Sequence, residues 1–180
     1  MDYYEADDAI ASVCEIFKNK NIEIIIGSLD KDLMQCLNVK NIVMYSTRFK
    51  SFTTRDDVYK KFGVYPHQIP DFLALVGDSS DGIPGMNGIG EKTASALLQE
   101  YENIESIYQN LDIWKKNIRS GERHSNTIFE NYELLKLFKS LTTLKLDVKV
   151  PKKTADYLQA QVNADKLNKF SEKYQLNINF

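Results

Sequence analysis

Three groups of carboxylates stand out in the chain: Glu5-Ala6-Asp7-Asp8, Asp30-Lys31-Asp32 and Asp78-Ser79-Ser80-Asp81. Seven acidic side chains in tight groups repel one another strongly unless cations accompany them. Hard divalent ions suit such a set, because Mg²⁺ takes a few carboxylates, keeps several waters and accepts phosphate oxygens as further ligands. Two such ions, roughly 4 Å apart, orient an attacking water and stabilise the leaving oxygen of a phosphodiester. Each group alone has a plainer explanation. Glu5, Asp7 and Asp8 suit a helix start, Asp30 suits the cap of a following helix, and Asp78 and Asp81 suit a turn.

A second feature follows at once in the chain. The run Ile83-Pro84-Gly85-Met86-Asn87-Gly88-Ile89-Gly90 reads as a compact non-helical hairpin between helices. Gly85, Gly88 and Gly90 permit positive φ and close approach. Amides of the hairpin and of the helix starting near Glu91 could therefore face a DNA phosphate, with Lys92 adding a charge. The plain alternative is a simple turn between two helices.

The elements that must position these groups alternate in type. Ile10, Val13, Cys14 and Phe17 form the apolar stripe of a helix over residues 5–19, and Ile22 to Ile26 reads as a buried parallel strand. Residues 31–37 read as a helix and Ile42 to Tyr45 as a second strand. This pattern predicts an α/β fold with a partial parallel sheet flanked by helices, where functional groups collect beyond the carboxyl ends of the strands. From Thr54, the expected N-cap, a helix runs through Val58 and Phe62 to Gly63, its expected stop. The rest is mainly helical. Pro66 and Pro70 suit the first turns of two short helices, and further helices are expected over 91–101, 104–111, 125–141 and 164–174.

Composition bounds the function. With 180 residues, 43% of them apolar, the chain can bury one sizeable core. No apolar run approaches the roughly 18 residues needed to span a bilayer, so a cytoplasmic, nucleoid-associated location is expected, with no membrane partner. The 23 basic and 25 acidic residues give a net charge of −2, which excludes a protein that coats nucleic acid by overall charge. Cys14 and Cys36 lack metal-ligand spacing and read as buried reduced thiols. The basic groups Lys60-Lys61, Lys115-Lys116 with Arg119, and Arg123-His124 track phosphates or form solvated helix faces. His67 and His124 have no partner at catalytic spacing.

The strings Tyr4-Glu5-Ala6-Asp7-Asp8-Ala9-Ile10, Asp30-Lys31-Asp32-Leu33-Met34-Gln35, Asp71 to Asp81, and Ile83-Pro84-Gly85 through Gly88-Ile89-Gly90-Glu91-Lys92-Thr93-Ala94 occur in order. Together they resemble the 5′-3′ exonuclease domain of bacterial DNA polymerase I and its flap-endonuclease relatives. The resemblance implies a PIN/FEN-like fold and places Glu5, Asp7, Asp8, Asp30, Asp32, Asp78 and Asp81 among the family's metal carboxylates, with Asp7, Asp30 and Asp78 catalytic. It implies Mg²⁺ or Mn²⁺ at a two-metal site. It also implies a helix-hairpin-helix element over 70–101 that grips duplex DNA through Gly85, Gly88, Ile89, Gly90, Lys92 and Thr93, with K⁺ at hairpin carbonyls. Lys31, between two ligand positions, balances their charge or meets the scissile phosphate. Gly82 departs from the family's usual Asn.

By the same resemblance the chain is one 5′-nuclease domain over 1–180, with an α/β metal-site part over 1–62, a helical DNA-binding part over 63–150 and a closing tail over 151–180. In the family a first strand bearing an aspartate, a further metal aspartate and a basic helical arch precede these motifs, so the domain is expected to be incomplete at its amino-terminal side. Three functions are in view. The first is metal-dependent cleavage of DNA at 5′ ends or flaps, completed by an amino-terminal nuclease fragment or by a homo-oligomer that fills the sheet. The second is sequence-independent DNA binding without cleavage, and the third is an interaction module.

Overall fold

The computed structural model describes residues 4–158 and 163–175. The chain divides into two compact units, Met1–Val150 and Pro151–Phe180.

In the first unit, helix α1 (Ala6–Phe17) carries Asp7 and Asp8 in its first turn, where carboxylates complement the helix dipole, and buries Ala11, Cys14 and Phe17 along one face. Strand β1 (Ile24–Gly27) pairs in parallel with β2 (Ile42–Ser46), in the register Ile24↔Ile42 to Gly27↔Tyr45. The expected strand over Ile22 to Ile26 is thus displaced by two residues. The Asn41 side-chain amide donates to the Ile22 carbonyl at 3.1 Å, which ties that residue into a turn instead of the ladder.

A third strand, β3 (Ser51–Thr53), runs antiparallel to β2, so the sheet is mixed. Three residues with Ser51 and Phe52 exposed carry too little alternation to announce a strand; the partner β2 supplies its register. One face of the sheet, with Ile26, Ile42 and Met44, is buried. Between β1 and β2 the expected helix over 31–37 is a tight 3-10 helix over Asp32–Asn38, broken at Leu37 (φ −80°, ψ 21°). It buries Leu33, Met34 and Leu37.

Helix α2 (Arg55–Phe62) forms as its termini predict. Thr54 and Asp57 cap each other reciprocally, and Gly63 at φ 72° donates its N–H to the Tyr59 carbonyl. A 3-10 turn at Pro66–Gln68 leads into α3 (Ile69–Val76), which is buried on almost every side. Then come α4 (Glu91–Tyr101), α5 (Ile104–Gln109), α6 (Leu111–Trp114), α7 (Gly121–Glu130) and α8 (Tyr132–Thr142). Two expected single helices, over 104–111 and 125–141, are therefore each broken in two. The break falls at an asparagine in both. The side-chain amides of Asn110 and Asn131 donate to the Ser106 and Thr127 carbonyls at 2.8 Å, so each asparagine folds back onto the last turn of the preceding helix.

The core joins these elements through Leu75, Leu97, Ile107, Ile128 and Leu135, all fully buried. Trp114 is buried as well, with its indole N–H donated to the Ile107 carbonyl at 2.9 Å. Inside this core Asp71 of α3 accepts from the Ile104 N–H at 3.0 Å and pairs with Lys139 of α8 at 2.8 Å. Lys139 also reaches Glu105, so three helices meet at one ammonium.

The second unit contains a 3-10 turn at Thr154–Tyr157 and helix α9 (Ala164–Tyr174), capped by Asn163. Its aromatic pair Phe170 and Tyr174 stands one turn apart, with ring centroids 4.6 Å from each other.

Candidate active site

The carboxyl end of β1 sets the first part of the site. Past Gly27 the chain turns through Ser28, whose hydroxyl accepts from the Asp30 N–H at 3.0 Å; Asp30 Oδ1 then accepts from the Asp32 N–H at 3.1 Å. These two local bonds turn the chain from the strand end into the start of the 3-10 helix. Asp32 is half-buried, and its Oδ1 atom is buried with no hydrogen-bond partner. Burial first, then the charges of Asp30, Asp81, Asp78 and Asp7, push its carboxyl up to about 7.

The same neighbours act on one another. Burial and the charges of Asp30, Glu5, Asp8 and Asp81 raise Asp7. Burial, Asp78 and Asp30 raise Asp81, with Lys31 opposing. Carboxylates from the α1 start, the loop after β1 and the loop after α3 thus share one electrostatic environment, as expected from the sequence. Among the described residues, no group of three or more His, Cys, Asp or Glu side chains is already arranged to hold a metal ion.

Lys31 occupies part of that space. Its Nζ donates to Asp78 Oδ2 at 2.7 Å, while the Ser80 N–H donates to Asp78 Oδ1 at 2.9 Å and the Ser80 hydroxyl binds the same oxygen. Burial works to raise the Asp78 carboxyl, but Lys31 and Ser80 outweigh it and hold it below the ordinary range. The loop is closed by reciprocal backbone bonds between Asp78 and Ile83, both 2.8 Å. Gly77 makes that closure possible: at φ 93° it lies so close to the returning chain that a Cβ would sit 2.7 Å from the Ile83 carbonyl oxygen.

Asp8 differs from its cluster mates. Both of its oxygens accept backbone amides, Oδ2 from Glu5 at 3.0 Å and Oδ1 from Lys145 at 2.7 Å, and the residue is buried. It fastens the start of α1 to a distant stretch of chain. Glu5, at the N-cap, is exposed.

The glycine hairpin packs by its apolar residues. Ile83, Met86 and Ile89 are buried, and the Met86 N–H donates to the Leu75 carbonyl at 2.8 Å. Ile89, counted among the DNA-facing residues, has its side chain in the core and its N–H on the Met86 carbonyl at 3.0 Å, so it anchors the hairpin from within. Thr93 likewise donates its N–H to Gly90. Gly88, at φ 84°, and Gly90 are exposed, and Gly90 gives α4 no side-chain cap. The Glu91 and Lys92 amides at the start of α4 thereby have no capping side chain and face an outside acceptor. Sequence reasoning undervalued Arg123. Its guanidinium, carried by α7, comes within 3.9 Å of where a Gly88 Cβ would stand, although 35 residues separate the two positions in the sequence.

A family model described as "5′-3′ exonuclease, N-terminal resolvase-like domain" matches residues 1–63, and one described as "5′-3′ exonuclease, C-terminal SAM fold" matches residues 64–166. The chain belongs to the 5′-3′ exonuclease family. It is 41% identical over 170 residues to DNA polymerase I of Caldicellulosiruptor bescii, covering 91% of this chain and 19% of the relative. It is 42% identical over 139 residues to the 5′-3′ exonuclease of Aquifex aeolicus, covering 77% of this chain and 47% of that one. The chain therefore spans less than half of the length of these two relatives.

The fold matches solved nucleases. T5 5′-exonuclease with bound divalent metal ions (zinc) superposes with a TM-score of 0.68 at 24% identity, over 94% of this chain and 58% of that chain. The catalytic core of Rad2 in complex with DNA substrate superposes with a TM-score of 0.57 at 14% identity, over 94% and 56%. These likenesses establish the PIN/FEN-like α/β fold expected from the sequence. Among the described residues, no helix is long and apolar enough to cross a membrane.

Proposed function

We propose that this 5′-3′ exonuclease chain supplies most of a divalent-metal-dependent nuclease site acting on DNA at 5′ ends or flaps, together with its grip on the duplex. The observation that carries the reading is the buried, unpartnered Oδ1 of Asp32 within a shared field of Asp7, Asp30, Asp78 and Asp81. Such an oxygen is costly to bury, and oxygen-rich donor sets of this kind fit hard divalent cations. Glu5, Asp7, Asp30, Asp32, Asp78 and Asp81 would hold them, with Asp8 orienting the start of α1. When bound, Mg²⁺ or Mn²⁺ supplies charge neutralisation and a more acidic attacking water.

The chain's own groups do the rest. Lys31 keeps Asp78 ionised and placed in the absence of a cation; once a cation takes over that charge, its ammonium is free to meet a phosphate oxygen. Gly88, the first two amides of α4, Lys92 and Arg123 form a helix-hairpin-helix surface that holds a phosphodiester backbone without reading bases. Carbonyls of the hairpin would hold K⁺. The apolar residue Ile25 on the edge strand β1 is exposed, which suits a further strand from an amino-terminal nuclease segment or a second copy.

The test is Mg²⁺-dependent cleavage of a labelled 5′-flap duplex, with the Asp30→Ala/Asp78→Ala variant as control and binding measured in parallel. Cleavage lost in the control is the expected result. Cleavage that persists in the control would remove the assignment. Binding without cleavage would favour a DNA-binding role for this segment.

A further inference from the structure

Cys14 and Cys36 sit on the two elements that carry Asp7 and Asp32. Cys14 follows Asp7 by seven residues on α1, two turns along the same face and roughly 10 Å away along the axis. Cys36 follows Asp32 by four residues on the 3-10 helix. The thiols meet where these elements pack together. They are free, and both line a cleft of about 320 Å³ that also touches Lys18 and His67. Cys14 is buried at the cleft floor and Cys36 is partly exposed.

We propose that Cys14 and Cys36 are an oxidisable dithiol, converted to a disulfide by a hydroperoxide entering this cleft, and that the disulfide resets the spacing of Asp7 and Asp32. A covalent bond is shorter than a thiol–thiol contact, so closing it draws α1 and the 3-10 helix together at a point one to two turns below the carboxylates.

The polarity of the pair assigns the roles. The side-chain hydrogen bond from Cys36 holds the Cys14 thiol below its usual range, against the effect of burial; the same bond, with burial, pushes Cys36 up. The two thiols share a hydrogen bond, and Cys14 serves as the attacking sulfur. It attacks one peroxide oxygen, the O–O bond breaks, and the departing hydroxide takes a proton to become water, leaving Cys14 as a sulfenic acid. The Cys36 sulfur then attacks Cys14 Sγ, the S–O bond breaks, and a second water leaves with the remaining proton. Two thiols and one hydrogen peroxide give one disulfide and two waters; the cysteines lose two electrons and the peroxide gains them.

The experiment treats the whole chain with hydrogen peroxide and reads three quantities: intact mass, peptide map and Mn²⁺ affinity by titration calorimetry. The expected result is a loss of about 2 Da, a Cys14–Cys36 linked peptide and Mn²⁺ binding weakened about tenfold, in keeping with the sensitivity of such sites to shifts near 1 Å. Dithiothreitol should restore all three, and Cys36→Ser should show none of the response. Because Cys36→Ser could unfold the chain, reversal in the unmutated protein is the deciding control. Gains of 16 or 32 Da without a linked peptide would overturn the proposal, as would a mapped disulfide with unchanged Mn²⁺ affinity. If the reduced chain bound no Mn²⁺, the metal reading would fall while the peptide map still judged the dithiol.

Discussion

Lys31 Nζ stands 2.7 Å from Asp78 Oδ2, so a lysine flanked by two acidic residues of one cluster neutralises a buried aspartate of another. The bond makes Lys31 a competitor for any cation that takes Asp78 as a ligand. Lys31→Met should accordingly tighten Mn²⁺ binding severalfold in titration calorimetry while lowering cleavage about 10- to 100-fold, since the ammonium is also lost to the phosphate. Equal losses of metal affinity and cleavage would sink the competition.

Stability without metal should fall as pH rises. Asp32, raised to about 7 by burial and its neighbours, is favoured in its protonated form in the folded chain. A carboxyl raised this way contributes stability that is full below the ordinary carboxylate pKa and lost as pH rises through the folded value. Asp7 and Asp81 are raised too and act in the same direction, whereas Asp78, held low, titrates below this window. The unfolding free energy from urea titrations in EDTA should therefore drop between pH 5 and pH 8 by about 1–2 kcal/mol after allowance for solvent screening. Added Mg²⁺ should stabilise more at pH 8 than at pH 5; equal gains at both would contradict the shared field.

Arg123 against Gly88 predicts an electrostatic contribution to duplex binding. Arg123→Gln should reduce the slope of log affinity against log salt by about 0.9, the change expected for one lost phosphate contact, and Arg123→Lys should restore most of it. Fluorescence anisotropy over a salt series measures this, and an unchanged slope with a lowered melting temperature would mean that the side chain only supports the hairpin.

Removing Lys139 should cost about 1–3 kcal/mol in chemical denaturation, because Asp71 would keep only the Ile104 amide in a buried position. The Asp71→Leu/Lys139→Leu double variant should lose less than the two single variants added together. Strict additivity would show that the pair acts independently.

Much of this arrangement was legible in the residues themselves. Helix α2 begins at Thr54 and ends at Gly63 as read from those two residues, because caps are local chemistry. The carboxylate groups were legible by type and by their place at element ends. Strand β3 was not, since a three-residue strand exists only by virtue of its neighbour. Nor were the breaks at Asn110 and Asn131, where a side chain competes with the helix for its own carbonyls. The meeting of Arg123 with Gly88 and of Asp8 with Lys145 depends on tertiary packing and left no trace in spacing.

That last contact bears on how the protein is made. Asp8 holds the Lys145 amide, the Ser12 hydroxyl accepts from the Val148 amide at 3.1 Å, and the Gln35 amide donates to the Thr142 carbonyl at 2.7 Å. A ribosome has released the first of these partners more than a hundred residues before it releases the second, and closing such long loops is slow. The acidic helix start thus waits, nascent and unlatched, for the strap at 142–148 to emerge. Cutting the polypeptide near residue 63, between the two family matches, would part Asp8, Ser12 and Gln35 from their partners at 142–148 and leave neither fragment with its fastening.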